Sequence, residues 1–312
     1  MRSSFVGFLY LISWCIVSAF SRVYLSDTLQ KIDPFVLCFY VFLITLVFYS
    51  LICLLIYRNL REKTLKNKRN IILLNLGTFG CWFFVIYPFK YMDPIIVSSL
   101  VLCITPIFTS LLSAYIDKNN WVKPKDRVLL YGFLMVVAYM ILLSYMGLSS
   151  VKISSFFHLS TSVIFIFISS FCLFVSIVYS KKLFISGFSP IENNFIRFWL
   201  LIFFSFMIGL FCHKSFKIDF PSFKVLLYVS FIYAIIPLYL IQSTTRRLEP
   251  MTITSIAPLM PIIIFIIERF NPRFHQSIFV MISLFIIIIL VTYGFFINSR
   301  IENKIVKTNH NV

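Results

Sequence analysis

Acidic residues are scarce in this chain: 11 Asp and Glu stand against 28 Lys and Arg in 312 residues, and charges of both signs make up 12% of it. With 60% hydrophobic residues and a mean hydropathy of +0.95, a water-soluble globule would expose far too much apolar surface, so that class is excluded. The solvent is a bilayer. No acidic residue falls near the centre of an apolar run, because Asp33, Asp93, Glu192, Glu249 and Glu268 all sit at expected helix ends. Proton-driven carriers place a carboxylate or histidine in the pathway, so the sequence favours facilitated diffusion or exchange over carboxylate-based antiport. Cysteine pairs are missing too. All seven cysteines fall inside or at the ends of apolar runs, with no paired spacing in loops, which excludes a disulfide framework and a zinc site. Neither HExxH nor GxSxG occurs, so a membrane-embedded enzyme lacks its chemistry: no catalytic residue, metal or cofactor is expected.

What is present is a series of apolar runs separated by clusters of charge. A helix needs about 20 apolar residues to span hydrocarbon. Ten runs fit: 5–21, 35–57, 71–89, 95–116, 128–146, 157–179, 191–212, 225–244, 251–267 and 278–297. A proline-led helix start recurs among them on a fixed grid. Asp33-Pro34 and Asp93-Pro94 return as Ser189-Pro190 and Glu249-Pro250, each 156 residues later. Proline suits the first turn of a helix, where its missing N–H would be unpaired anyway, and a preceding Asp or Ser can cap that turn. Other matches keep the offset, including Lys90 with Arg246, Ser98 with Thr254 and Ser99 with Ser255. The expected fold is therefore an all-α integral membrane protein of ten transmembrane helices in two five-helix repeats, 1–150 and 151–298, followed by a disordered cytoplasmic tail, 299–312. Five is odd, so the second repeat is inverted, the build of a secondary transporter.

The net charge of +17 does not point to nucleic acid, because the basic residues sit in short loops rather than on one face. With the N-terminus inside, eighteen Lys and Arg, among them the cluster RNLREKTLKNKRN at 58–70, fall on cytoplasmic loops against nine outside, Arg22 included. The positive-inside rule then places both termini in the cytoplasm. A cleaved signal peptide ending at Val17-Ser18-Ala19 would leave nine spans and break the repeat.

The stretch PFKYMDPIIVSSLVLCITPIFTSLLSAY at 88–115 resembles the third-to-fourth helix region of EamA-type members of the drug/metabolite transporter superfamily. Its counterpart TRRLEPMTITSIAPLMPIIIFIIE at 245–268 resembles the same place in the second repeat. Trp14 followed by Arg22 is similar to the family's first helix, and Arg197 stands where the family often carries an arginine. The resemblance implies a ten-helix carrier of inverted repeats. Leu259-Met260-Pro261 replaces the basic residues that related phosphate-substrate carriers hold in the ninth helix, which argues against a phosphate substrate.

Three helices carry polar stripes. On the sixth run, His158, Ser162, Phe165, Ser169, Cys172, Ser176 and Tyr179 alternate in steps of four and three, which puts them on one face. Such a face meets another helix through small-residue packing, or it lines a wet cavity. Asn75, Thr78 and Trp82 on the third run and Ser230, Tyr233 and Pro237 on the eighth repeat an i, i+3, i+7 spacing on corresponding helices. Gln242 is expected on the side opposite Tyr233. Arg197, about 10 Å along its helix from Pro190, is either a snorkelling strut or an attractor for anionic or zwitterionic solutes. The candidate substrate-binding set is Asn75, Thr78, Trp82, Ser169, Ser176, Tyr179, Arg197, Tyr233 and Gln242. Prolines 106, 237, 258 and 261 are expected kink points.

The sequence thus leads to a secondary membrane transporter, a permease or exporter, that moves a small organic solute by alternating access. Its alternative is a lipid flippase of the same fold; a receptor or scaffold fits less well, since no sizeable loop is available to a partner. A bacterial inner membrane is the expected location. The expected partners are a small-molecule solute and the bilayer, without nucleic acid, and a homodimer is left open.

Overall fold

The computed structural model describes residues 2–56, 60–116, 124–149, 155–271, 273–274 and 277–309, and within these the chain is helical. Loop cations Arg58, Lys118, Lys123 and Lys152 lie outside the described residues. Each of the four grid prolines opens a helix: Pro34 begins α2 (Pro34–Ile56), Pro94 α5 (Pro94–Ile116), Pro190 α8 (Pro190–Ile196) and Pro250 α12 (Pro250–Ile256). At Pro34 and Pro190 residues beside the proline cap the turn. Asp33 Oδ1 accepts the Phe35 N–H at 3.0 Å, and Ser189 and Glu192 exchange side-chain and backbone hydrogen bonds in a capping box. The other elements are α1 (Arg2–Thr28), a short α3 (Leu60–Lys66), α4 (Lys68–Tyr91), α6 (Pro124–Tyr145), α7 (Phe156–Ile185), α9 (Trp199–Phe211), α10 (Phe220–Val229), α11 (Ile236–Arg247), α13 (Met260–Glu268) and α14 (Ile278–Asn309).

Among the described residues, nine helical stretches are long and apolar enough to cross a membrane, and α14 opens on a shorter apolar stretch, Ile278–Tyr293. Large apolar side chains point outward along these stretches, with Leu55 85% and Met135 74% exposed, as a multi-pass membrane protein requires of its lipid face. The interior differs. Ser98, Ser162, Ser169, Asn193, Asn194 and Thr244 are fully buried, so polar groups face the bundle centre rather than lipid.

Close backbone approach sets the tightest helix pair, α4 against α7. A Cβ built on Gly77 would stand 2.8 Å from Ser176 N and 3.0 Å from Cys172 O, and one on Gly80 would overlap Cys172 Sγ. The serine and cysteine stripe read from the sequence is therefore, in part, a packing surface of small residues. Across the fold, Glu268 at the end of α13 is buried and its Oε1 accepts the Ile95 N–H at 3.2 Å, so the last residue of one helix caps the first turn of another.

Helix ends explain three positive φ angles. After α6, α7 and α9, Gly147 (φ 68°), Gly187 (φ 85°) and His213 (φ 54°) occupy the left-handed position of a Schellman close. In each, the next residue's N–H reaches back to the carbonyl five before it: Leu148 to Leu143, Phe188 to Leu183 and Lys214 to Gly209. His213 alone carries a side chain there, which costs about 1 kcal/mol. We expect His213→Gly to raise unfolding stability by about 1 kcal/mol in a reversible denaturation assay, and a loss of stability would show that the imidazole makes a compensating contact.

Two expectations change. The first helix does not stop at residue 21; α1 runs to Thr28, which moves Arg22 from an outside loop into the bundle. Its guanidinium finds a hydroxyl there, so the charge does not end the helix. The tail expected to be disordered from 299 continues as helix to Asn309, with 310–312 outside the described residues. Extending an established helix fixes one residue per hydrogen bond and avoids a new nucleus, so polar residues can follow an apolar helix at little cost.

Candidate functional site

Helix breaks cluster in the second half. Between α8 and α9 the helix is interrupted at Arg197 and Phe198; a π-helical turn, Ser230–Ile235, joins α10 to α11; and a 3-10 turn, Ala257–Leu259, joins α12 to α13. Pro237 and Pro258 lie beside or within the last two, as expected of kink points, and Pro261 sits in the first turn of α13. Pro106 does not interrupt α5.

At two of the breaks the first half supplies side-chain donors to backbone carbonyls. Asn75 Nδ2 on α4 donates to Ile196 O at 2.7 Å, and Tyr49 Oη on α2 donates to Ile235 O at 2.7 Å. These bonds fix where the backbone departs from α-helix. Tyr49→Phe, which keeps the packing and deletes the donor, is expected to cost about 1–3 kcal/mol in an unfolding titration; a neutral effect would mean water satisfies Ile235 O instead.

Between the first two of these breaks and the unbroken helices α1, α4 and α7 lies a cavity of about 70 Å³. Its polar lining comes from both halves: Ser21, Arg22, Ser169, Ser176, Arg197 and Gln242. Its apolar wall includes Trp14, Trp82, Leu173, Ile177 and Tyr233, with the Trp82 and Tyr233 rings edge to face at 5.1 Å. An apolar side pocket, shared along Trp14, Leu173, Ile177 and Ile241, extends toward Ile253 and Ala257 of the ninth span.

Of the nine candidate residues, six line the cavity: Trp82, Ser169, Ser176, Arg197, Tyr233 and Gln242. Thr78 stands behind it as a partner of Arg197, and Asn75 holds the Ile196 carbonyl. Tyr179 lies elsewhere. It packs in a separate cluster with Leu74, Leu183, Phe188 and Ile196, with the Lys182 ammonium over its ring. Gln242 joins Tyr233 on the cavity, contrary to the helical-wheel expectation. The π turn inserts an extra residue per turn between them, which rotates the downstream helix by about 100° and brings Gln242 round. Its Oε1 also accepts from Asn193 Nδ2 at 2.7 Å.

Arg197 is the most buried cation among the described residues and does not snorkel: it is 3% exposed. Its Nε donates to Thr78 Oγ1 at 3.1 Å and its Nη2 to Ser176 Oγ at 2.6 Å, while Nη1 has no protein partner. Arg22, half-buried on α1, donates from Nη1 to Ser98 Oγ at 3.0 Å and rests over the Phe89 ring. It is a cavity-lining residue that the expected span boundaries left out. The signal was present in the Trp14 to Arg22 spacing, but the charge itself marked the end of the expected span. His158 pairs with Tyr87 Oη and stacks on Tyr91, away from the cavity.

Ion pairs tie the halves together at both ends of the bundle. At one end, Lys63 meets Glu192 at 3.0 Å. At the other, Arg273 meets Asp27 at 2.9 Å with Asn271 on the same carboxylate, and Lys214 meets Asp33 at 3.0 Å.

No family model and no curated protein matches this chain. Among solved structures, 24 chains match. One of them, described only as "Crystal structure of protein", superimposes over 96% of this chain and 99% of its own with a TM-score of 0.66 at 15% identity. At that identity the likeness carries the fold alone.

Proposed function

We propose that this chain is a secondary transporter that moves a small organic solute by alternating access, with the cavity between Arg22, Trp82, Arg197 and Tyr233 as its solute site. The observation that carries the reading is the cavity's construction: polar side chains from both halves converge where two membrane helices are broken, at Arg197 and at Ser230–Ile235, and the third break, at Ala257, borders the apolar side pocket. Discontinuous helices around a central polar site are what transporters use to bind and release solute within the bilayer. In this reading the chain has ten spans arranged as two inverted five-helix repeats, both termini are cytoplasmic, and the likeness to EamA-type carriers is one of kinship. The 156-residue offset of helix-opening prolines supports the repeat.

Mechanistically, the unbroken helices of the first half act as struts, and the broken ones of the second half bend at 197–198, 230–235 and 257–259. The two ion-paired ends would open in turn. The Arg273–Asp27 latch is partly exposed and worth no more than about 1 kcal/mol, weak enough for solute binding to select the state, whereas the Lys63–Glu192 latch has a buried carboxylate that must be rehydrated when it opens. Reconstituted into proteoliposomes, the protein should catalyse saturable counterflow of a labelled solute from a pooled metabolite mixture. Movement of labelled lipid in place of any solute would make it a flippase and sink the carrier reading.

A further inference from the structure

The cavity holds two guanidinium groups and no carboxylate. Of the described residues that line it, only Arg22 and Arg197 are charged, and neither is in an ion pair. Arginine stays protonated at any physiological pH, so both are cations. Their hydrogen-bond partners are neutral hydroxyls, Ser98 for Arg22 and Thr78 and Ser176 for Arg197, which orient the side chains without offsetting their charge. The Nη1 of Arg197 is buried and unpartnered, a donor held in place for something not supplied by the protein. Two uncompensated cations in one membrane-embedded cavity are costly unless an anion joins them.

From this we infer the substrate class: the cavity takes a small organic carboxylate with an apolar or aromatic body, its carboxylate held between the Arg197 and Arg22 guanidinium groups and its body against Trp14, Trp82 and Tyr233. Guanidinium groups match the planar carboxylate in geometry as well as charge. The flat rings and the apolar side pocket fit a hydrocarbon body, whereas a cation would meet like charge, and a neutral amide would leave both arginines uncompensated. A consequence for transport follows. The empty cavity must close around two bare cations, so the loaded carrier crosses its occluded state more readily than the empty one, and carboxylate-for-carboxylate exchange runs faster than net flux.

The exchange behaviour rests on the carrier reading, but the anion site does not, and binding can be tested without transport. The full chain in nanodiscs of neutral lipid would be titrated with benzoate, phenylacetate and succinate, with benzamide and phenylacetamide as neutral matches and benzylamine as the cationic match. Binding is read by thermal midpoint and by tryptophan fluorescence. Acids should raise the midpoint saturably and perturb the fluorescence, while amides and the amine should do neither. Arg22→Gln and Arg197→Gln should each weaken acid binding about a hundredfold. If a variant fails to fold, the acid-against-amide contrast in the unmodified protein still decides. Equal response to acids and amides, or no response to any acid, overturns the proposal. So does stabilisation by anionic lipid in the nanodisc without any by the soluble acids, which would make the arginines a headgroup site. Acids that bind but never cross proteoliposomes would leave the anion site standing and remove the carrier reading; neutral solutes that exchange while acids do not bind would do the reverse.

Discussion

Replacing Arg197 with alanine is expected to reduce solute counterflow by about two orders of magnitude while the helix bundle stays assembled. The guanidinium donates to Thr78 and Ser176 but receives no compensating charge, so removing it strands no buried carboxylate. Both hydroxyls can rotate to a backbone carbonyl of their own helix, as Ser and Thr commonly do. Fold stability should therefore fall by little more than the hydrogen bonds lost, about 1–3 kcal/mol. Transport loses a cavity-lining guanidinium whose Nη1 has no protein partner, and deleting one side of a buried charged contact typically costs about 2–5 kcal/mol of binding. Counterflow rates and size-exclusion profiles measured on the same preparation separate the two effects. Unchanged counterflow from a well-folded variant would reduce Arg197 to a strut that joins α4, α7 and the broken helix.

The second large effect is on assembly. Gly77→Leu should unfold the protein or cost more than about 3 kcal/mol, because even a Cβ at that position meets Ser176 N at 2.8 Å and Cys172 O at 3.0 Å. These are backbone atoms of α7, and they cannot move aside without parting the two helices. Gly77→Ala should cost about 1–3 kcal/mol by the same contact. Since Ser169 and Ser176 lie on the face of α7 that packs there, the alanine variant should also distort the cavity wall. Thermal unfolding of the purified protein with and without the substitution reads the first effect; a leucine variant as stable as the parent would mean that α4 and α7 do not approach this closely.

How much of this was legible in the sequence depended on what kind of signal each feature leaves. Helix starts at Pro34, Pro94, Pro190 and Pro250 were readable because proline's effect is local and positional. The serine stripe of α7 was readable as a face but not as a choice between packing and cavity, and it does both: Ser176 sits against Gly77 and also accepts from Arg197. Tyr179 follows the same periodicity yet faces a different cluster, since one helix 30 residues long passes several neighbours along its length. Gln242 was misplaced because a wheel assumes 3.6 residues per turn throughout, and no residue in Ser230–Ile235 announces a π turn. Arg22 was hidden by the rule that charge ends a span, which fails when a neighbouring helix offers a hydroxyl such as Ser98.

Alternating access around the cavity is the central claim, and two-sided labelling tests it most directly. In a background without native cysteines, Ser18→Cys places a thiol in the cavity wall, and a membrane-impermeant thiol reagent is applied from one side or the other. One latch is then closed by Lys63→Cys with Glu192→Cys, the opposite one by Asp27→Cys with Arg273→Cys, each pair joined by a flexible bifunctional reagent before Ser18→Cys is introduced to labelling by reversible protection. The account predicts reciprocal results. Without a cross-link the cavity thiol reacts from both sides; joining either latch abolishes labelling from its own side, preserves labelling from the other, and stops counterflow. Labelling that persists from both sides with one latch joined, or reaction from one side only in the free protein, would contradict it.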